Sequence, residues 1–148
     1  MTDIETRPAV RTAPPPSFWI VGILAVLWNA FGAYDYTMSQ LRDPAYLAQF
    51  KPSVVAMLDS LPAWAVAAWA TGVWGSLAGA LLFLAKSRHA ATAYLLSLAG
   101  AIISFAYQFT HRSPEMSGAG AVLPLVILGA IVLFWWFARR MNLRGVLG

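Results

Sequence analysis

The sequence predicts an all-α fold, an integral-membrane up-down four-helix bundle with a short helical periplasmic loop. Three observations carry that expectation. Of 148 residues, 59% are hydrophobic and 11% charged, whereas a soluble domain carries ~25% charged residues. Four segments each supply close to the ~20 mostly apolar residues that cross a ~30 Å hydrocarbon core. No stretch alternates apolar and polar residues long enough for a barrel strand, and backbone groups in lipid must bond internally, so the spans are helices.

The elements follow in order. Residues 1–17 read as a disordered cytoplasmic tail that ends in Pro14, Pro15 and Pro16, a run barred from a helix interior. The first span covers about 18–36. Residues 37–61 are long enough to hold structure, and Asp43-Pro44 and Lys51-Pro52 read as two helix starts, each a capping or turn residue followed by Pro at the first helical position. Tyr46, Leu47, Phe50, Val54, Val55, Met57 and Leu58 would then cover the bundle end or lie in the interface. The alternative is a plain connecting loop. The second span covers about 62–85 and opens on Pro62, where a missing N–H costs nothing. Lys86-Ser87-Arg88-His89 makes a tight hairpin into a third span at about 90–109, so these two helices are antiparallel neighbours. A short loop with Pro114, Gly118 and Gly120 leads to the fourth span at about 121–137, and 139–148 reads as a basic cytoplasmic tail. Residues 18–138 thus form the transmembrane domain.

Orientation follows the distribution of Lys and Arg. Arg7, Arg11, Lys86, Arg88, Arg139, Arg140 and Arg144 fall on one side; Arg42, Lys51 and Arg112 fall on the other. Both termini are therefore expected in the cytoplasm, in a bacterial inner membrane. The net charge of +4 reflects this asymmetry and does not point to nucleic acid. A rival reading makes the first segment a signal peptide, with Ala30 and Gly32 as the small residues before a cleavage point.

Polar residues inside spans are costly unless partnered, so they are the functional clues. Asn29 lies near mid-depth of the first span, and Asp35 and Tyr36 near its outer boundary. On the third span Ser97, Ala101, Ser104, Gln108 and His111 recur at spacings that place them along one side, as in a helix–helix seam in lipid. Asp35, Tyr36, Tyr107, Gln108 and His111 reach the same depth. Two readings stay open: a ligand or proton site facing the periplasm, or a hydrogen-bond clasp joining the first and third spans. On the second span Thr71, Gly75 and Gly79 recur every four residues, as do Ala68, Gly72, Ser76 and Ala80. The Gly75–Gly79 step allows close backbone approach. Packing within the bundle and a homodimer face both fit, and Gly32 joins Gly72, Gly75 and Gly79 as a candidate packing residue. Trp69 and Trp74 either stack on a flat ligand or pack against glycines.

The chain has no cysteine, which excludes disulfide scaffolds and iron–sulfur or cysteine zinc sites. His89 and His111 fall on opposite sides, and no phosphate-binding glycine loop or metal spacing is present. No enzyme activity, metal or cofactor is expected.

Trp28-Asn29-x-x-Gly32-x-x-Asp35-Tyr36, Pro62-Ala63-Trp64, Trp69, Gly72-Val73-Trp74-Gly75, Gly79 and the ending Arg144-Gly145-Val146-Leu147 resemble a group of small four-span bacterial inner-membrane proteins. Some of these carry the label of sugar transporter and others no activity at all. The resemblance covers roughly 18–147 and implies that the shared polar residues are Asn29, Asp35 and Tyr36. A more distant likeness is to the DoxX-like four-span proteins, which implies an accessory subunit of a membrane oxidoreductase. Three functions follow as expectations. The first is a membrane protein that binds a partner protein, lipid or itself. The second is a small-solute transporter lined by Asn29, Asp35, Tyr36, Trp74 and Gln108. The third is the accessory subunit.

Overall fold

The computed structural model describes residues 12–111 and 121–148. Arg7, Arg11, Arg112, Pro114, Gly118 and Gly120 lie outside the described residues. Six helices occur in order: α1 (Pro16–Gln40), α2 (Pro44–Leu47), α3 (Pro52–Ser60), α4 (Ala63–Leu84), α5 (Ala90–Thr110) and α6 (Val122–Leu143). The four long ones, α1, α4, α5 and α6, are long and apolar enough to span a bilayer, so the chain is an all-α multi-pass membrane bundle.

Proline sets three of the starts. Pro16, Pro44 and Pro52 each stand in the first turn of their helix, where no N–H is needed. Asp43 caps α2, accepting from the Tyr46 N–H at 2.8 Å. Both loop helices therefore begin where the Asp-Pro and Lys-Pro pairs place them. α1 runs past Tyr36 to Gln40 because its polar end satisfies itself: Thr37 Oγ1 donates to the Ala33 carbonyl at 2.6 Å, and Ser39 is buried.

Chain reversals at three C-termini share one geometry. After α6, the Gly145 N–H reaches Asn142 and the Val146 N–H reaches Met141, a Schellman motif with Gly145 at φ 71°. α4 ends the same way with Lys86 at φ 58°, and α1 with Arg42 at φ 54°. The first of these corrects the expected basic tail. α6 continues through Arg139 and Arg140 to Leu143, and the reversal at Gly145 then folds Val146 and Leu147 into the core. Three residues past a helix read as tail in sequence; the left-handed glycine turns them inward. The Gly148 N–H closes this return on the Lys86 carbonyl at 2.8 Å.

α4 and α5 form the central hairpin, α1 packs on α4, and α6 packs mainly on α5. The glycine face of α4 is consumed here. A Cβ at Gly72 would lie 3.1 Å from the Ala101 nitrogen, at Gly75 3.2 Å from Ser97, and at Gly79 3.0 Å from the Tyr94 ring. The tightest approach to backbone was not singled out in sequence: a Cβ at Gly100 would meet the Ala68 carbonyl oxygen at 2.6 Å. This face therefore packs within the chain rather than against a second copy. Gly32 is the exception among the expected packing glycines, because a Cβ there meets nothing within 4 Å. Ser97 Oγ donates across the seam to the Gly72 carbonyl at 2.5 Å. That carbonyl is also the one four residues before Ser76, the usual acceptor of a helical serine, and the buried Ser76 hydroxyl has no protein partner.

The two ends differ. The end holding both described termini and the α4–α5 turn, here the basic end, is filled by aromatic and aliphatic side chains. Phe18 stacks on Phe83 with ring centroids 4.4 Å apart, Phe83 meets Phe137, and Tyr94 meets Phe134. Met141, Val146 and Leu147 complete this plug. At the opposite, loop end, α2 and α3 lie over the helix ends.

Candidate functional site

The loop end gathers most of the polar residues expected to matter, though not as one cluster. Asn29 is buried, and its Nδ2 donates back to the Ala25 carbonyl at 2.7 Å. It is satisfied within its own helix. One turn and a half further along, the Asp35 carboxylate accepts from the Tyr46 hydroxyl at 2.5 Å. Tyr46 also packs edge-on against Tyr34 and Phe50, so it pins α2 to α1. Burial, then the hydrogen bond and charge of Asp35, push the Tyr46 hydroxyl well above its usual pKa.

Gln108 is buried on α5, and its Nε2 donates to Ser104 Oγ at 3.3 Å. Tyr36 meets Trp69 edge to face at 4.9 Å. Tyr107 packs between Trp64 at 5.0 Å and the exposed His111 ring at 3.9 Å. Trp74 is 48% exposed on the outer surface of the bundle. Of the seam stripe, Ser97, Ala101, Ser104 and Gln108 are buried and His111 is exposed; Ser97 and Ala101 pack on Gly75 and Gly72 of α4. The expected clasp between the first and third spans is therefore replaced by two local ones, Asp35 with Tyr46 and Gln108 with Ser104. The physical reason is the spatial order. α4 stands between α1 and α5 through the bundle, and the loop helix brings Asp35 a closer partner.

What joins Asp35 and Gln108 is a cavity of about 330 Å³, half-open, where the helices part at the loop end. α1 contributes Asp35 and Ser39, α5 contributes Phe105 and Gln108, and α4 contributes Trp69. Leu123, Pro124 and Ile127 of α6 form one wall, and Phe50, Val54, Met57, Leu58 and Leu61 form the cover. The lining is mostly apolar with a few converging polar groups, the usual make-up of a small-molecule site. Asn29, Tyr36, Trp74 and Tyr107 are not part of this lining. The lining residues that sequence reasoning missed are Ser39, Leu61, Phe105, Leu123, Pro124 and Ile127. A serine on the polar end of α1 was visible in sequence, but nothing in the pattern marks which face of α6 turns inward.

Arg42 clamps the α3 part of the cover. Arg42, at the reversal after α1, donates through one guanidinium nitrogen to the Leu58 carbonyl at 3.0 Å and pairs with Asp59 at 3.0 Å. A cation at the last turn of α3 suits the negative end of that helix. Leu58 is the buried residue of α3, so an apolar anchor adds to this basic clamp.

Compared with known protein families, curated proteins and solved structures, the chain gave no match.

Proposed function

We propose that the protein is a small bacterial inner-membrane binding protein, with its basic end in the cytoplasm. Its loop-end cavity takes one amphipathic molecule, such as a lipid with a hydrogen-bond-donating headgroup. The observation that carries this reading is the meeting of Asp35, Ser39 and Gln108 in an otherwise apolar cavity of about 330 Å³. A carboxylate and an amide oxygen accept hydrogen bonds, so the favoured ligand presents a hydroxyl or an amine to them. Its apolar part lies against Phe105, Ile127 and Met57. The cavity lies at the loop end of the four span-length helices, which suits a ligand drawn from the bilayer. The orientation rests on the excess of Lys and Arg at the basic end.

Solute transport fits less well. In this conformation the Phe18–Phe83–Phe137 plug fills the basic end, so transport would require that plug to open in a second conformation. Of the residues expected to line such a path, Asp35 and Gln108 do line the cavity, but Asn29 bonds to its own helix and Trp74 faces outward.

The test is extraction and identification. Protein purified in mild detergent should release one dominant amphipathic molecule, near one per chain, by mass spectrometry. Ile127→Trp, which fills the cavity, should abolish it, and Gln108→Leu should reduce it. A molecule retained unchanged by the Ile127→Trp protein, or no enriched molecule at all in the unaltered protein, would refute the proposal.

A further inference from the structure

We infer that the basic end is a binding surface for anionic phospholipid headgroups, built on cations that lie over tryptophan faces. Lys86 Nζ is 5.5 Å from the Trp19 ring centroid, the Arg139 guanidinium 5.6 Å from that of Trp135, and the Arg140 guanidinium 5.3 Å from that of Trp136. Arg88 and Arg144 are exposed at the same end. Among the described residues the ion pair is Arg42 with Asp59, at the opposite end, and the described acidic side chains, Asp35, Asp43 and Asp59, all belong to that opposite end. The cations of the basic end thus have aromatic faces beside them and no carboxylate side chain.

Indole rings prefer the headgroup level, so a cation lying over an indole is held at the depth of lipid phosphates. A ring face attracts a cation without consuming its N–H donors. The guanidiniums stay able to make paired hydrogen bonds to phosphate oxygens. Consecutive Arg139 and Arg140 diverge around α6, each over its own tryptophan, so they present two separate phosphate contacts. Because no carboxylate side chain among the described residues offsets these charges, the partner that completes them is anionic. Its position fixes it as a lipid of the surrounding leaflet. This inference is independent of the cavity ligand.

The experiment uses the full chain in nanodiscs that contain equal shares of phosphatidylcholine and phosphatidylglycerol, followed by release into the gas phase and identification of the lipids retained. Phosphatidylglycerol should be retained over phosphatidylcholine. Arg139→Gln with Arg140→Gln should cut that preference roughly twenty-five-fold, at about fivefold per interfacial cation. Lys51→Gln at the loop end should leave it unchanged. Raising salt on the unaltered protein should weaken the preference, which tests the idea even where the double variant folds poorly. Inorganic phosphate at matched charge should not displace the lipid; displacement would mean that a free anion, not a headgroup, is the partner. Equal retention of both lipids, survival of the preference in the double variant, or an equal loss with Lys51→Gln would each overturn the inference.

Discussion

Replacing Gly100 by alanine adds one methyl group at the narrowest point of the α4–α5 seam. That methyl would lie 2.6 Å from the Ala68 carbonyl oxygen, 2.8 Å from the Gly72 nitrogen and 2.9 Å from Thr71 Cβ. Two of these are backbone atoms, which cannot swing aside. Carbon–oxygen contacts settle near ~3.3 Å, so α4 must retreat by roughly 0.7 Å. Overpacking of this kind costs ~1–3 kcal/mol. The same retreat lengthens the 2.5 Å bond from Ser97 Oγ to the Gly72 carbonyl, and interhelical bonds in membranes contribute ~0.6 kcal/mol on average. Alanine is the better helix former by up to ~1 kcal/mol, which offsets part of the loss. The net expectation is a destabilisation of about 2 kcal/mol, measured by reversible unfolding in mixed micelles followed by circular dichroism. Gly32→Ala and Gly129→Ala provide the comparison, because a Cβ at either meets open space; both should be neutral or slightly stabilising. If all three variants unfold alike, the close approach of α4 to α5 is wrong.

Other predictions concern the two ends. Arg42→Ala removes the clamp on α3, so hydrogen exchange in 52–60 should accelerate while exchange in α4 and α5 stays unchanged; an unaltered rate in α3 would show that Leu58 alone holds the cover. Tyr46→Phe should loosen α2 by about 1 kcal/mol, the usual net worth of one hydrogen bond. The folded Tyr46 hydroxyl binds its proton more tightly than an unfolded tyrosine. Its stabilising contribution is therefore complete below about pH 10 and lost as pH rises above that. The Phe variant should lack that part of the alkaline loss, which a pH series of unfolding measurements will detect. Gly145→Ala should cost ~1 kcal/mol, because a side chain resists the left-handed conformation. It should also expose Val146 and Leu147 to proteolysis, and unchanged protection would contradict the return of the chain onto the core.

Much of the architecture was legible because it depends on composition along the chain. Spans of ~20 apolar residues and proline starts are local signals, and Pro16, Pro44 and Pro52 all stand in the first turn of a helix. The seam stripe on α5 was legible as a stripe, since Ser97, Ser104 and Gln108 share one side. Its partner was not legible, because helix neighbours depend on packing. Gly32 shows the limit of residue type: glycine permits a close approach but does not require one. Gly100 shows the converse, a single glycine without a repeat that marks the tightest backbone contact between α4 and α5. Asp35 found its partner on a one-turn helix whose position over the bundle end no local pattern encodes. Asn29 drew attention as a polar residue at depth, yet a bond to the carbonyl four residues back satisfies its amide.

The α4–α5 pairing joins consecutive helices separated by a five-residue connection, from Ala85 to His89. Contacts between segments so near in sequence close a short loop, and such contacts form early. This hairpin is the natural first unit to assemble in the bilayer. α1 then docks mainly on α4 and α6 mainly on α5, and the two touch each other only lightly. Assembly would accordingly branch rather than proceed end to end, with two late steps that do not depend on one another. A lesion on the α1 face and one on the α6 face should add in their effects, whereas either combined with a hairpin lesion should not.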